Sequence, residues 1–266
     1  MQLDLFRIFK NKDPKAKALE TTPVKSLFRT EKEVIALNEK IEVEVARRSY
    51  QKRWKLWVHP SGKVRVTVNK KVSLKQVKRW LLSMQPWIEK GLANGEKLRE
   101  KYPPKKYIDG ENFPFIGKDY RLRINPALKT DVYGDIMEIN LGVPVETSTA
   151  LKQEKLQMLY KKQARYLIPE RLDYWSECMG LKYSRLSLRG QKTRWGSCSS
   201  RGEISLNWKL VAAPLEVLDY VVIHELAHLT HPNHSKEFWG LVEAYCPEYK
   251  GLKRWLRDNQ YGFEFL

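Results

Sequence analysis

The chain has 266 residues, 42% of them apolar, which is enough to bury the core of two small domains or one large one. Cys178, Cys198 and Cys246 are odd in number and widely spaced, which excludes a disulfide framework and fits a reducing cytoplasm. The formal net charge of +18 points toward polyanions, while the lack of an apolar run of about 18 residues and of an apolar core at the N-terminus speaks against a membrane span or an export signal.

Residues 1 to 35 are charged and aperiodic, and are read as a flexible tail. Within the tail, Gln2, Leu3, Asp4, Leu5 and Phe6 form QLDLF. The pentapeptide resembles the motif by which bacterial replication and repair proteins dock on the DNA sliding clamp; the alternative is an apolar anchor folding back on the chain. From residue 36 to 147 the pattern is that of a basic, β-rich module. KIEVEVARRS reads as a strand, and RWKLWV and KVRVTV read as two more, joined through HPSG as a hairpin. SLKQVKRWLLSMQPWIEKGLANGEKLREK reads as a helix that bends or restarts at Pro86. Short strands are expected around KKYIDGE, DYRLRIN and IMEINLG, up to a boundary near VPVETST.

From 148 to 266 the pattern changes. A long helix runs from TALKQEKL to SECMG, with a kink expected at Pro169 and an end at Gly180. Two strands follow, YSRLSLRG and EISLNWKLV, with RWGSCSSRG between them. The next helix, PLEVLDYVVIHELAHL, is apolar around most of its circumference and must be buried.

That helix opens a segment holding four of the five histidines, His224, His228, His231 and His234. On one helix His224 and His228 lie about 40° apart, one turn above the other, so both imidazoles can grip one ion. Glu225 flanks the first of them where a general base belongs, which completes the H-E-x-x-H pattern. Zinc in such a site takes three protein ligands and acidifies a bound water to a pKa of about 7. Candidates for the third ligand are His231, His234, Glu237 and Glu243. Pro232 ends the helix and angles His231 away, so His234 is preferred, with Glu243 second. Asn233 or Ser235 is suited to cap the helix that follows.

The block from Arg194 to Trp239 resembles the YgjP-like zinc metallopeptidases, compact zincins of the minigluzincin type related to the SprT-like and WLM proteases. The resemblance runs from about Ile41 to Leu256. It implies a zinc peptidase with His224, His228 and His234 as ligands and Glu225 as base, and it supplies no substrate. Metzincins share the spacing from His228 to His234, but His231 stands where they carry glycine, and no methionine follows Met179 to make their Met-turn.

In zincins a strand beside the cleft pairs with the extended substrate, a role that falls to the region around RWGSCSSRG. Arg194 and Asn207 are candidates for substrate or transition-state contacts, or else for holding the strands together. Cys198 is read as a buried structural cysteine rather than an inhibitory thiolate, and Tyr245 and Tyr249 as remote candidates for hydrogen-bond donors.

Charge separates the two halves. Residues 51 to 100 hold 13 Lys and Arg against 3 acids, and residues 201 to 250 hold 4 against 7. In the basic part, Trp54, Trp57 and Trp80 interleave with cations, which suits nucleic acid unless the tryptophans are core residues. The expectation is an α+β protein in which a basic β-rich module precedes a zincin domain. It is read as a cytoplasmic endopeptidase with one Zn2+ per chain, working through a Glu-activated zinc-bound water on a protein or peptide substrate. DNA and the sliding clamp are further candidate partners, and no membrane is. The alternative is a DNA-associated or clamp-associated binding module with a structural or vestigial zinc site.

Overall fold

A computed structural model describes residues 32–191 and 194–266. QLDLF and most of the N-terminal tail lie outside the described residues. Those described divide into two compact units after Pro104.

In the first unit, β1 (Lys32–Ala36), β2 (Glu42–Arg48), β3 (Lys55–Val58) and β4 (Val64–Asn69) form one sheet in the order β1-β2-β4-β3. β2 and β4 are parallel, and the other pairs are antiparallel. Alternation turns Val43, Val45, Val64, Val66 and Val68 to one face, where they share a core with Val77, Leu81 and Ile88. Those three come from α1 (Leu74–Ser83) and α2 (Gln85–Lys101). Ser73 starts α1 in a capping box: its hydroxyl accepts from Gln76 N at 3.3 Å, and Gln76 Oε1 accepts from Ser73 N at 3.0 Å. The helix restarts as expected, with Pro86 in the first turn of α2. β1 is a departure, because residues 32–35 read as part of the tail.

Among the described residues the second unit contains two sheets and four α-helices. β5 (Asn112–Phe115), β6 (Lys118–Ile124), β7 (Asp131–Tyr133) and β8 (Glu138–Leu141) are ordered β5-β6-β8-β7. After α3 (Thr149–Cys178) come β9 (Arg185–Arg189), β10 (Gly196–Cys198) and β11 (Glu203–Asn207), ordered β10-β11-β9. A 3-10 turn at Trp208–Ala212 leads to α4 (Leu215–Ala227), α5 (Lys236–Tyr245) and α6 (Tyr249–Asn259). One core joins Phe113, Phe115 and Tyr120 of the first sheet to Leu156, Tyr160 and Leu167 of α3 and to Val222 and Leu226 of α4.

The division therefore falls at 104/105 rather than near 147, because the strands between 112 and 141 share their core with the helices that follow. KKYIDGE is not a strand. There Tyr107 has a φ of 56°, and the Glu111 carboxylate accepts from the Tyr107 N–H at 2.6 Å and the Lys106 N–H at 3.1 Å. α3 runs unbroken through Pro169, and its end at Gly180 (φ 64°) is a left-handed cap, with Leu181 N donating to Ser176 O at 2.9 Å.

Two contacts position α4. The turn between β5 and β6 uses Ile116 (φ 47°) and Gly117 (φ 71°), and a Cβ on Gly117 would come within 2.6 Å of Pro214 Cα. Glycine thus lets the turn press against the start of α4. From α3, the buried Arg171 guanidinium makes two parallel bonds of 2.7 Å to Asp219 of α4.

Candidate metal centre

α4 ends at Ala227, and the chain tightens over residues 228–230, so His228 caps the helix instead of lying within it. His224 and His228 still face the same way, with ring centroids 5.0 Å apart. His231 N donates to Ala227 O at 3.0 Å, after which Pro232 turns the chain. Ser235 caps α5 by accepting from Phe238 N at 3.4 Å. The turn brings His234 back, so that one ligand atom from each of His224, His228 and His234 lies within 4.8 Å of the others. Nε2 of His224 and Nε2 of His234 are 3.2 Å apart.

This arrangement fits zinc. Two nitrogens at about 2.0–2.1 Å from a tetrahedral ion are about 3.3 Å from each other. His228 Nδ1 is 3.1 Å from the His231 carbonyl, so it carries the proton and leaves Nε2 as a free lone pair. Burial, reinforced by the neighbouring His228, His234 and Lys253, holds the His224 pKa down to about 3, and it stays a neutral donor at ordinary pH. His231 thus contributes its carbonyl and not its ring. Glu243 is exposed and lies 3.6 Å from Lys250, outside the cluster.

Phe238, fully buried, packs 4.6 to 5.0 Å from all three imidazoles, and Trp239 stacks on His234 at 5.5 Å and on Tyr249 at 5.1 Å. Sequence reasoning missed both aromatics. Their placement one turn inside α5 was the available signal. Tyr249 belongs to this stack.

Glu225 is 5% exposed, and burial pushes its pKa up to about 8. Against it lies Gly196 of β10, where a Cβ would come within 2.6 Å of Glu225 Cγ. Only glycine allows β10 this approach. β10 is an edge strand of its sheet and, with the histidines and Glu225, lines a cavity of about 460 Å³. Arg194 and Cys198 line it too, and burial followed by the Glu225 charge pushes the Cys198 thiol up.

Asn207 does not line this cavity. It is buried, its Nδ2 donates to Gln191 O at 2.8 Å and Arg194 O at 3.1 Å, and its Oδ1 accepts from Lys209 N at 3.1 Å. These bonds tie Gln191 and Arg194 to the end of β11.

The family described as YgjP-like, metallopeptidase domain, matches residues 52–259. Among solved structures, the metallopeptidase zymogen abylysin of Pyrococcus abyssi is 28% identical, covering 35% of this chain and 96% of its own, with a TM-score of 0.33. The zymogen jannalysin of Methanocaldococcus jannaschii is 20% identical over the same shares, with a TM-score of 0.32. No curated protein matches the chain.

Proposed function

The chain belongs to the YgjP-like metallopeptidase family, and from that premise we propose that it is a zinc-dependent endopeptidase in which His224, His228 and His234 hold the ion and Glu225 is the general base. The observation that carries the reading is the convergence of the three imidazoles beside a buried carboxylate at the edge of β10. When bound, zinc supplies Lewis acidity, polarising a carbonyl oxygen and making water a better acid.

The chain's own residues do the rest. Glu225 takes the proton of the attacking water and hands it to the leaving amine nitrogen. Burial raises its affinity for that proton, and it accepts only in the ionised form, which a cation held by the three histidines would favour. β10 offers a main-chain edge on which an extended peptide can add as a further strand. Arg194 lines the cavity, which supports assigning it to a substrate carbonyl or carboxylate. Among the described residues no helix is long and apolar enough to cross a membrane, so nothing there ties the reaction to a bilayer.

The test is metal content by elemental mass spectrometry, with casein cleavage, on wild type, His234→Ala and Glu243→Ala. One zinc per chain in wild type and in the Glu243 variant, lost in the His234 variant together with cleavage, is the expected result. A Glu243 variant that loses the metal, or a wild type that takes up none from zinc-replete buffer, would overturn the ligand set.

A further inference from the structure

Residues 45 to 88 contain 12 Lys and Arg and no Asp or Glu. The fold of the first unit concentrates these cations. β2 and β4 run parallel with Arg48 opposite Asn69, and β3 runs against β4 with Lys55 opposite Thr67. The last residues of β2 and β4 and the first of β3 therefore meet at one end of the sheet. Arg48, Lys52, Arg53, Lys55, Lys70 and Lys71 gather there, all exposed.

Their loops are tied together. Asn69 Nδ2 donates to Ser49 O at 2.9 Å and to Gln51 O at 3.2 Å, and Arg47 donates to Val72 O. Among the described residues none of the six cations has an ion-pair partner, whereas Arg47 faces Glu33 at 3.8 Å and Arg65 meets Glu44 at 2.8 Å. Arg47 and Arg65, within the sheet, are matched in this way, and the six cations crowded at its end repel one another and favour an anion.

Aromatic rings lie beside them. Trp54 and Trp80 pack edge to face at 5.0 Å against the core of the unit. Tyr50 and Trp57 are 61% and 47% exposed. Arg48 lies 5.9 Å from the Tyr50 ring and Arg65 5.9 Å from the Trp57 ring. Strand alternation places Lys55 and Trp57 on the sheet face away from α1 and α2, while Leu56 and Val58 pack into the core.

We propose that this basic end, with Tyr50 and Trp57 beside it, is a binding surface for single-stranded nucleic acid. Phosphates meet the six cations, and unpaired bases stack on the two rings. A duplex offers the same phosphates but keeps its base faces inside, where an aromatic side chain cannot stack on them. Binding of this kind is salt-dependent. Six phosphate contacts give a slope of about −4 in log affinity against log salt, a loss of roughly 300-fold between 50 and 200 mM. The proposal requires no hydrolysis, so it stands or falls apart from the peptidase reading.

The experiment is fluorescence anisotropy on the full chain with a 20-nucleotide oligothymidine, a duplex of equal length and phosphatidylserine vesicles as competitor, over a salt series. Circular dichroism checks the fold of each variant. The proposal expects tighter binding to the single strand than to the duplex, and a loss of more than about 10-fold in Lys70→Glu/Lys71→Glu. Tyr50→Ala/Trp57→Ala should weaken single-strand binding by about 10-fold or more. Lys118→Glu/Lys129→Glu makes the same change in net charge at exposed positions of the second unit, and should stay within about 2-fold. Equal loss in that control, duplex binding at least as tight, no effect of removing the two rings, or displacement of oligothymidine by vesicles would each overturn it.

Discussion

The two units handle charge in opposite ways. At the basic end of the first, cations stand exposed and unmatched among the described residues. In the second, charged and polar groups near α4 are buried or half-buried, and most have a definite partner: Arg171 with Asp219, His228 with the His231 carbonyl, Asn207 with two backbone carbonyls. Buried polar groups are costly unless paired, so the second unit's chemistry depends on its scaffold, whereas exposed charges hardly affect stability. Net charge alone, at +18, would have hidden this division.

The contrast breaks most severely at Arg171. Arg171→Ala leaves the half-buried Asp219 carboxylate without its partner, with an expected loss of about 3 kcal/mol and a fall in melting temperature of roughly 10 °C. Replacing both residues with apolar ones of similar volume should recover most of it, as thermal melts of the single and double variants would show. Gly196→Val pushes into the Glu225 side chain and should lower cleavage about 100-fold, with metal content preserved. Retained activity in that variant would mean that β10 is looser than its contact with Glu225 indicates.

Metal removal comes next. At a free zinc concentration of about 100 times its dissociation constant, binding adds about 2.7 kcal/mol, so chelation should lower the melting temperature by roughly 5–10 °C. In the metal-free chain the His224 pKa is lowered to about 3 from an ordinary 6.5. The unfolded chain therefore takes up this proton first, and stability should decline as pH falls from about 6.5 toward 3. Melts at pH 7, 5 and 4 check the sign. Smallest of all, Lys70→Glu/Lys71→Glu should leave the melting temperature within the reach of about 0.5 kcal/mol.

Much of the second unit's candidate site was legible because it is local. His224, Glu225 and His228 lie within one helical turn of each other, and Pro232 with Ser235 foretold the reversal that returns His234 to them. The hairpin from β3 to β4 and the restart at Pro86 were equally local. What escaped depends on distant partners. β6 and β8 look as strand-like as β2 to β4, and only their packing against α3 assigns them to the second unit. Gly196 and Asp219 carry no local mark of their roles, since each acts through a residue far away in sequence. KKYIDGE has the composition of a strand, but Glu111 captures its backbone N–H groups.

The most direct measurement is zinc content and casein cleavage on Glu225→Gln, an isostere that keeps the shape of the side chain and removes its basicity. One zinc per chain, with cleavage reduced by about 10²–10⁴-fold, is the result expected of a general base beside an intact metal centre. Cleavage at the wild-type rate with the metal in place would contradict it.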